Sequence, residues 1–317
     1  MAWLSILSGL VLLTVGAEAL IRGATGLARR LGLSELLIGL TLVGFGTSTP
    51  ELVSSIEAAL SGAPGIAVGN VVGSNIANIL LILGLSAFIS PIAVEPKSFR
   101  RDMPALVAAT LVVIVVILTG SVGRYAGAAF LAAIGAYIIY AYRTERRAPL
   151  QPEAVRHEAE AAQTPSASAP AKALLLTVFG LALLIAGAKL LVTGSIEVAL
   201  SLGVSDAVIG LTIVAIGTSL PELVTSVAAA ARGKSDLALG NVVGSNLYNL
   251  LGILGATALV QPIAVPSEII RTDIWILLLA TAAMALFAWT RGKVERWEGA
   301  LFTAAYIAYL GWIGVSA

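Results

Sequence analysis

A short segment that combines a proline with a carboxylate occurs twice in the chain, each time in the middle of an apolar stretch. The two copies are Gly46-Thr47-Ser48-Thr49-Pro50-Glu51 and Gly217-Thr218-Ser219-Leu220-Pro221-Glu222. A charged side chain at the bilayer centre costs about 2.5–3.5 kcal/mol even on lenient insertion scales, so such residues usually mark functional sites. Proline removes a backbone donor and interrupts a helix, which frees carbonyl oxygens beside the carboxylate. These residue types predict a cation site at membrane depth.

A second duplicated signature follows each Pro-Glu segment, and it carries polar side chains at helical spacing. Three of its members fall at i, i+4 and i+8 and share one helix face. They are Asn70, Ser74 and Asn78 in the first copy, and Asn241, Ser245 and Asn249 in the second. Such a stripe is expected to face a partner helix or a wet cavity. The alternative to a role in an ion site is hydrogen bonding between helices. This alternative is strongest for four residues: Asn70, Asn75, Asn241 and Asn246.

The ligand set favours a hard cation. Ca²⁺ takes oxygen ligands from carboxylates, carbonyls, amides and water. Glu51 and Glu222 can neutralise one Ca²⁺. The oxygens that can complete its shell are the carbonyls of Thr47 and Thr218 and the side chains of Ser48, Ser219, Asn78 and Asn249.

Sulfur and imidazole ligands are missing from these segments. The chain has no cysteine, and its one histidine, His157, lies in a polar stretch, which argues against Zn²⁺ or Cu⁺. The same oxygens could hold Na⁺, or the glutamates could be protonated. A site that holds Ca²⁺ or its replacement, but is costly to leave empty, has the physics of an exchanger.

Composition indicates a polytopic membrane protein. Of 317 residues, 58% are hydrophobic and 12% are charged, against about 25% charged in soluble domains. A spanning helix needs about 20 apolar residues. The N-terminus lacks a basic region and is expected to be an uncleaved first span. The ten candidate spans lie near 3–22, 36–60, 65–89, 103–120, 125–142, 173–194, 207–231, 237–260, 273–290 and 299–315.

The chain divides into two related halves. Residues 143–171 are charged, then rich in Pro, Ser and Ala, and predict a disordered linker between 1–142 and 172–317. Ser34–Gly84 aligns without gaps to Ser205–Gly255 at an offset of 171, and about thirty positions are identical. Five spans in each half force the second half to enter from the opposite side. The expected fold is therefore an all-α membrane protein of ten helices in two inverted five-helix repeats, with the second and seventh spans broken at the Pro-Glu motifs.

Basic residues predict the orientation. With the N-terminus outside, sixteen of the nineteen Lys and Arg residues fall in inside loops. Only Arg124 and Arg271 fall outside, and Lys189 lies within a span. The positive-inside rule then places both termini outside the cell (inner) membrane and the linker in the cytoplasm. Glu18 and Lys189 are equivalent in the two halves, and we expect them to pair with each other or with loop charges. Glu57 is interpreted as an entrance or interfacial charge.

The duplicated motifs resemble the alpha repeats of the calcium/cation antiporter superfamily, close to the bacterial and archaeal sodium/calcium exchangers. The resemblance covers nearly the whole chain. It implies four ion sites between the second, third, seventh and eighth spans, and alternating access by sliding of the first and sixth spans.

Residue roles follow from the same resemblance. It implies that Glu51 and Glu222 are the central calcium ligands, together with the Thr47 and Thr218 carbonyls. Asn78 and Asn249 complete the centre. The resemblance assigns sodium sites to Ser48, Ser74, Ser219 and Ser245, with backbone carbonyls at Gly44 and Ala215. The archaeal sodium/calcium exchanger has aspartate where this chain has Asn249. Here both positions, 78 and 249, are amides, a pattern that also resembles proton-coupled relatives.

Several functions remain to be weighed on the sequence alone. The leading hypothesis is an antiporter that exchanges Ca²⁺ for Na⁺, and the alternative is Ca²⁺ for H⁺. A passive channel is disfavoured because filters usually need several subunits. An intramembrane enzyme would need a nucleophile or cofactor beside the glutamates, and none is evident. We expect no prosthetic group, no nucleic acid and no obligate protein partner; the partners are the transported ions and the lipid bilayer.

Overall fold

The computed structural model describes residues 2–31, 33–62, 64–147, 170–201 and 215–316. Within them the chain is almost entirely helical. The helices of the first half are α1 (Ala2–Leu31), α2 (Glu35–Ile38), α3 (Gly44–Thr47), α4 (Thr49–Leu60), α5 (Pro64–Ala77), α6 (Gly84–Ile89), α7 (Pro96–Ile117) and α8 (Arg124–Arg147). Wider π-helical segments, Gly39–Val43 and Asn78–Leu83, join α2 to α3 and α5 to α6.

The second half repeats this order where it is described. Its helices are α9 (Pro170–Ser201), α10 (Ala215–Thr218), α11 (Leu220–Ala231), α12 (Ser235–Leu247), α13 (Leu254–Val260), α14 (Ile274–Arg291) and α15 (Arg296–Ser316). π-Helical segments at Tyr248–Ile253 and Ile269–Asp273 join α12 to α13 and precede α14.

Six of these helical stretches are long and apolar enough to cross a membrane. The pair Glu35–Thr47 and Thr49–Leu60, bent by 43° at its break, makes a seventh if it is counted as one span. Helices of 22 and 21 residues, α7 and α15, cover two further predicted spans. The first part of the predicted seventh span, 207–214, lies outside the described residues.

Residues 143–147 and 170–171, which the composition placed in the linker, are helical. Helix α8 continues to Arg147, and α9 begins at Pro170. Long polar side chains extend a helix beyond the apolar core at little cost, because their heads reach water. The remainder, 148–169, lies outside the described residues.

Helices α1 and α9 pack against each other along most of their length. Glycines spaced by seven residues line the contact on both helices: Gly9, Gly16 and Gly23 on α1, and Gly180, Gly187 and Gly194 on α9. A Cβ atom added to Gly23 would lie 2.5 Å from the amide nitrogen of Thr177, so only glycine allows the two backbones this close. Small residues at the interface are the usual device for tight helix packing in lipid.

Two small β-ribbons connect the halves. Strand β1 (Ile92–Ala93) pairs antiparallel with β4 (Lys293–Val294), and β2 (Ser121–Val122) pairs with β3 (Ile263–Ala264). The register sets Ile92 opposite Val294 and Val122 opposite Ile263. Each ribbon therefore takes one strand from each half of the chain.

One expected charge pair is wrong. Glu18 does not pair with Lys189; its carboxylate is bonded by Arg22 on the same helix and by Arg232, which caps the end of α11. Lys189 lies on the exposed side of α9. The bond between Glu18 and Arg22 follows from their spacing, because side chains three or four residues apart on a helix are neighbours. The alternative expectation for Glu18, a loop charge, is the correct one.

Candidate functional site

The two Pro-Glu motifs break their helices in the same way. Helix α3 ends at Thr47 and α4 begins at Thr49, with Ser48 between them at φ −82° and ψ 10°. In the second half α10 ends at Thr218, α11 begins at Leu220, and Ser219 adopts φ −90° and ψ 9°. Proline at the second position of each new helix lacks the N–H that would continue the ladder. Within the described chain, no backbone N–H donates to the Thr47 or Thr218 carbonyl across the break.

The carboxylates of Glu51 and Glu222 meet in the interior, and each is about 1% exposed. Each is bonded by a hydroxyl of the opposite half. The Ser48 hydroxyl donates to Oε1 of Glu222 at 2.7 Å, and the Ser219 hydroxyl donates to Oε1 of Glu51 at 3.1 Å. The second oxygen of each carboxylate, Oε2, is buried without a hydrogen-bond partner. Neither carboxylate takes part in an ion pair among the described residues, so their charge is open to a cation.

Two buried amides lie on segments that pack against the helices carrying these glutamates. Asn78 and Asn249 are each about 1% exposed, and the side-chain nitrogen and oxygen of both lack hydrogen-bond partners. Asn78 is the first residue of the π-helical segment after α5, and Asn249 is the second residue of the segment after α12. π-Helical turns inside α-helices are frequent at functional sites. Because a π-helical turn holds more residues than an α-helical turn, the i, i+4 spacing of the polar side chains does not continue beyond Asn78 and Asn249.

The flanking residues are arranged less symmetrically. Ser245 is fully buried, and its hydroxyl donates to the Gly44 carbonyl at 3.1 Å. Ser74 is buried at 6% exposure, whereas Thr218 is half-buried. Thr47 is fully buried, and its hydroxyl lies 3.0 Å from the Val43 carbonyl. Ala215 is the first residue of α10, and nothing is described of its side chain.

The structure adds two polar residues that the sequence reasoning did not single out, Ser55 and Ser226. The Asn70 amide donates to the Ser55 hydroxyl at 2.9 Å and to the Glu51 carbonyl at 3.1 Å. The symmetry-related amide, Asn241, donates to the Ser226 hydroxyl at 2.8 Å and to the Glu222 carbonyl at 3.4 Å.

These paired contacts, which we call the amide clamps, hold each glutamate's helix against the next one. Asn70 and Asn241 therefore hydrogen-bond between helices, which was the structural alternative for both. A serine four positions after each glutamate was the sequence signal for the clamps.

This site has the chemistry of an oxygen-ligated cation site. A buried polar atom without a partner costs about 1–3 kcal/mol. Such atoms occur on Glu51, Glu222, Asn78 and Asn249, which belong to both halves of the chain, and also on other buried side chains that include Asn246. Carboxylate and amide oxygens buried in the interior would be satisfied by a hard cation, and the donor set contains no sulfur or imidazole.

Comparison with known proteins agrees with this arrangement. A family model described as sodium/calcium exchanger protein matches residues 1–143 and 172–315. The sodium/calcium exchanger MaX1 of Methanosarcina acetivorans is 34% identical, over 97% of each chain. The inner membrane protein YrbG of Escherichia coli is 33% identical, over 95% of this chain and 93% of its own.

Solved structures agree as well. The sodium-calcium exchanger NCX_Mj, soaked with Na⁺ and Sr²⁺, has 34% identity to this chain and superposes with a TM-score of 0.84 over 98% of this chain and 97% of its own. Both the sequence match and the fold match thus extend over nearly all of the chain. By this evidence, added to the oxygen-lined pair of buried glutamates, the chain belongs to the sodium/calcium exchanger protein family.

Proposed function

We propose that this protein is a secondary antiporter that exchanges Ca²⁺ for Na⁺ across the cytoplasmic membrane by alternating access. The observation that carries the proposal is the pair of buried carboxylates, each held at one oxygen by the opposite half and unpartnered at the other. Two negative charges match one Ca²⁺. Leaving them empty in a low-dielectric interior is unfavourable, so the site favours replacement of one cation by another over an empty transit.

The buried, unpartnered oxygens support the central ligand assignments, and the flanking positions rest on the resemblance to the exchangers. Glu51 and Glu222 bind Ca²⁺ through their free oxygens, and the Thr47 and Thr218 carbonyls at the helix breaks lie one turn before them. Asn78 and Asn249 complete the centre with amide oxygens. The flanking sodium positions use hydroxyls and carbonyls from both halves, namely Ser48, Ser74, Ser219, Ser245, Gly44 and Ala215. No prosthetic group is needed for this function.

The architecture of the proposal is ten spans in two inverted halves, 1–142 and 172–317, joined by a cytoplasmic linker, with both termini outside. The crossed serine–glutamate bonds and the exchanged β-strands support a twofold relation between the halves. The interface of inverted repeats near the midplane is the usual place for a transported substrate.

Na⁺ is the favoured coupling ion because the site supplies hydroxyls and carbonyls in addition to two acids. A proton needs only the glutamates. The alternative, Ca²⁺/H⁺ antiport, is favoured by one observation: positions 78 and 249 are both amides, so the centre contains no third carboxylate to balance several Na⁺.

Two other classes are disfavoured. A passive channel would keep an open path, whereas the central residues are almost completely buried. An enzyme would need a nucleophile activated by a neighbouring base. The carboxylates instead accept bonds from serines of the opposite half, with no basic side chain paired to either of them in the described structure.

The deciding experiment is radioactive calcium uptake into proteoliposomes loaded with Na⁺ at equal pH on both sides. Uptake that requires the outward Na⁺ gradient supports sodium coupling. Uptake that follows an outward H⁺ gradient and ignores Na⁺ selects the proton-coupled alternative. Calcium uptake that proceeds when neither a Na⁺ nor an H⁺ gradient is imposed indicates a channel.

A further inference from the structure

An aromatic pair joins α3 to the π-helical segment that follows α12. The rings of Phe45 and Tyr248 stack with their centroids 4.4 Å apart and an angle of 21° between their planes. Both side chains pack against the buried core and remain partly exposed at its edge. Stacked aromatic rings stabilise a contact beyond the apolar area that they bury. The stack therefore holds these two segments of the chain together.

The stack joins the same two segments as a hydrogen bond of the candidate ion site. The Ser245 hydroxyl donates to the Gly44 carbonyl at 3.1 Å. Gly44 immediately precedes Phe45, and Ser245 stands three residues before Tyr248. Gly44 and Ser245 are both buried, whereas the two rings lie at the edge of the core. The placement of these two oxygens relative to each other therefore depends on the aromatic contact beside them.

Gly252 makes room for the tyrosine ring. A Cβ atom added to Gly252 would lie 2.5 Å from Cδ2 of Tyr248, a distance that real Cβ atoms essentially never show. Phe45 already occupies the space on the stacked face of this ring. A side chain at position 252 would therefore disturb the stack.

The duplicated sequence carries other side chains at these three positions. At the offset of 171, Ala77 aligns with Tyr248, Leu81 with Gly252 and Ile216 with Phe45. Neither Ala77 nor Ile216 has an aromatic ring, so the aligned pair cannot stack. A tyrosine followed four residues later by glycine is matched by an alanine followed by leucine, which keeps bulk on this part of the helix. The duplication thus supplies a version of the segment that has no aromatic contact.

We propose that the stack of Phe45 and Tyr248 positions a sodium site. It sets the spacing between the Gly44 carbonyl and the Ser245 hydroxyl, two neutral oxygens that take part in binding Na⁺. The inference rests on the proposed exchange function and names two positioning residues for it. Neutral oxygens attract a cation only through their dipoles, so their placement decides how well they bind.

Calcium depends less on this contact. Glu51 and Glu222 supply two full charges, and charge dominates the attraction of a divalent ion in a low-dielectric interior. The two carboxylates are held by a different contact, the crossed hydrogen bonds from the serines at the helix breaks. Loss of the stack should therefore weaken Na⁺ binding by a larger factor than Ca²⁺ binding.

Thermal unfolding of the purified full-length protein in detergent, with Na⁺ exchanged for choline at constant ionic strength, measures ion binding. An ion that binds the folded state raises the unfolding temperature by mass action. Tyr248→Ala should increase the Na⁺ concentration needed for a given rise by roughly threefold to tenfold. The corresponding Ca²⁺ concentration should increase by a smaller factor. Tyr248→Phe keeps the ring and should respond to Na⁺ like the wild type; a response as weak as that of Tyr248→Ala overturns the proposal.

A double variant distinguishes the aromatic contact from simple filling of space. Tyr248→Ala combined with Gly252→Leu gives the second half the side chains that the duplicated segment has at Ala77 and Leu81. We expect this variant to regain unfolding temperature that Tyr248→Ala loses without added ions, yet to keep the weakened response to Na⁺. A wild-type Na⁺ response in the double variant shows that bulk alone is needed, and it overturns the proposal.

A change on the other ring keeps the test decisive if the variants at Tyr248 do not fold. Phe45→Leu removes the stack while leaving an apolar side chain of similar size. It should show the same weakened Na⁺ response as Tyr248→Ala. An unchanged Na⁺ response in a folded Phe45→Leu protein overturns the proposal.

The wild-type protein separates this inference from the proposed function. If Na⁺ stabilises the wild type and drives calcium flux, but Phe45→Leu and the double variant respond to Na⁺ as the wild type does, the exchange function stands and the positioning role fails. If Ca²⁺ stabilises the wild type and Na⁺ does not, sodium exchange fails, and the sodium site proposed here fails with it.

Discussion

The hydroxyl of Ser48 donates a 2.7 Å hydrogen bond to the carboxylate of Glu222, 174 positions away in the other copy of the same motif. Ser219 returns the contact to Glu51 at 3.1 Å. Each break in one half therefore orients the acid of the other half, and leaves one oxygen of that acid free. The two-carboxylate centre is therefore built from both breaks.

Neutralising either central acid should abolish calcium transport. In Glu51→Gln or Glu222→Gln a single remaining charge faces Ca²⁺ in a low-dielectric site, where the loss of a nearby opposite charge is large. Calcium uptake into proteoliposomes measures the effect. Glu57→Gln, on the exposed side of α4, is the matched control and should retain transport. Wild-type exchange by a folded Glu51→Gln protein would rule out the calcium assignment.

The second amide clamp should contribute more to stability than the first. Asn241→Ala leaves the fully buried Ser226 hydroxyl without its donor, so we expect a loss of about 1–3 kcal/mol. Asn70 is only half-buried, and water can replace its bonds, so Asn70→Ala should cost less. Thermal unfolding of the purified protein measures both changes. Combined with Ser226→Ala, the Asn241→Ala effect should be non-additive; strictly additive losses would show that the two side chains act independently.

The proposed orientation can be tested with single cysteines, because the native chain contains none. Cysteine at Ser61 or Ala317 should react with an impermeant maleimide in intact cells. Cysteine at Arg147 should react only after lysis. The reverse pattern at Ala317 would refute the predicted topology and, with it, the cytoplasmic placement of the linker.

Restoring a third acid at the centre should strengthen sodium binding. Asn249 supplies an amide oxygen but no charge, so several Na⁺ would crowd around two carboxylates, and the apparent Na⁺ affinity should be weak. Asn249→Asp adds a negative charge nearby, which favours cation occupancy. Calcium flux measured against Na⁺ concentration at fixed pH should show tighter Na⁺ competition in the variant. If wild-type calcium flux does not depend on Na⁺ but follows a pH gradient, the sodium interpretation is wrong and the Ca²⁺/H⁺ alternative takes its place.

The sequence was informative where one residue type has one physical consequence. Pro50 and Pro221 interrupt helices wherever they occur in an interior, so both breaks could be predicted to within a residue. The crossed pairing of Ser48 with Glu222 could not, because it depends on how two distant segments pack. The serines that bond Asn70 and Asn241 stand four positions after each glutamate, but that these side chains meet also depends on packing. For Glu18 the sequence left Lys189 and a loop charge as alternative partners, because Arg232 approaches it only in the folded chain.

The two β-ribbons have a consequence for how such a molecule can be built. Ile92 faces Val294 and Val122 faces Ile263, so one ribbon repeats the other with the roles of the halves exchanged. That reciprocity is the mark of an isologous contact, the kind that joins identical subunits in a twofold dimer. In these two ribbons the halves therefore meet as protomers do. Two separate five-helix polypeptides, expressed together, should therefore assemble into the same molecule.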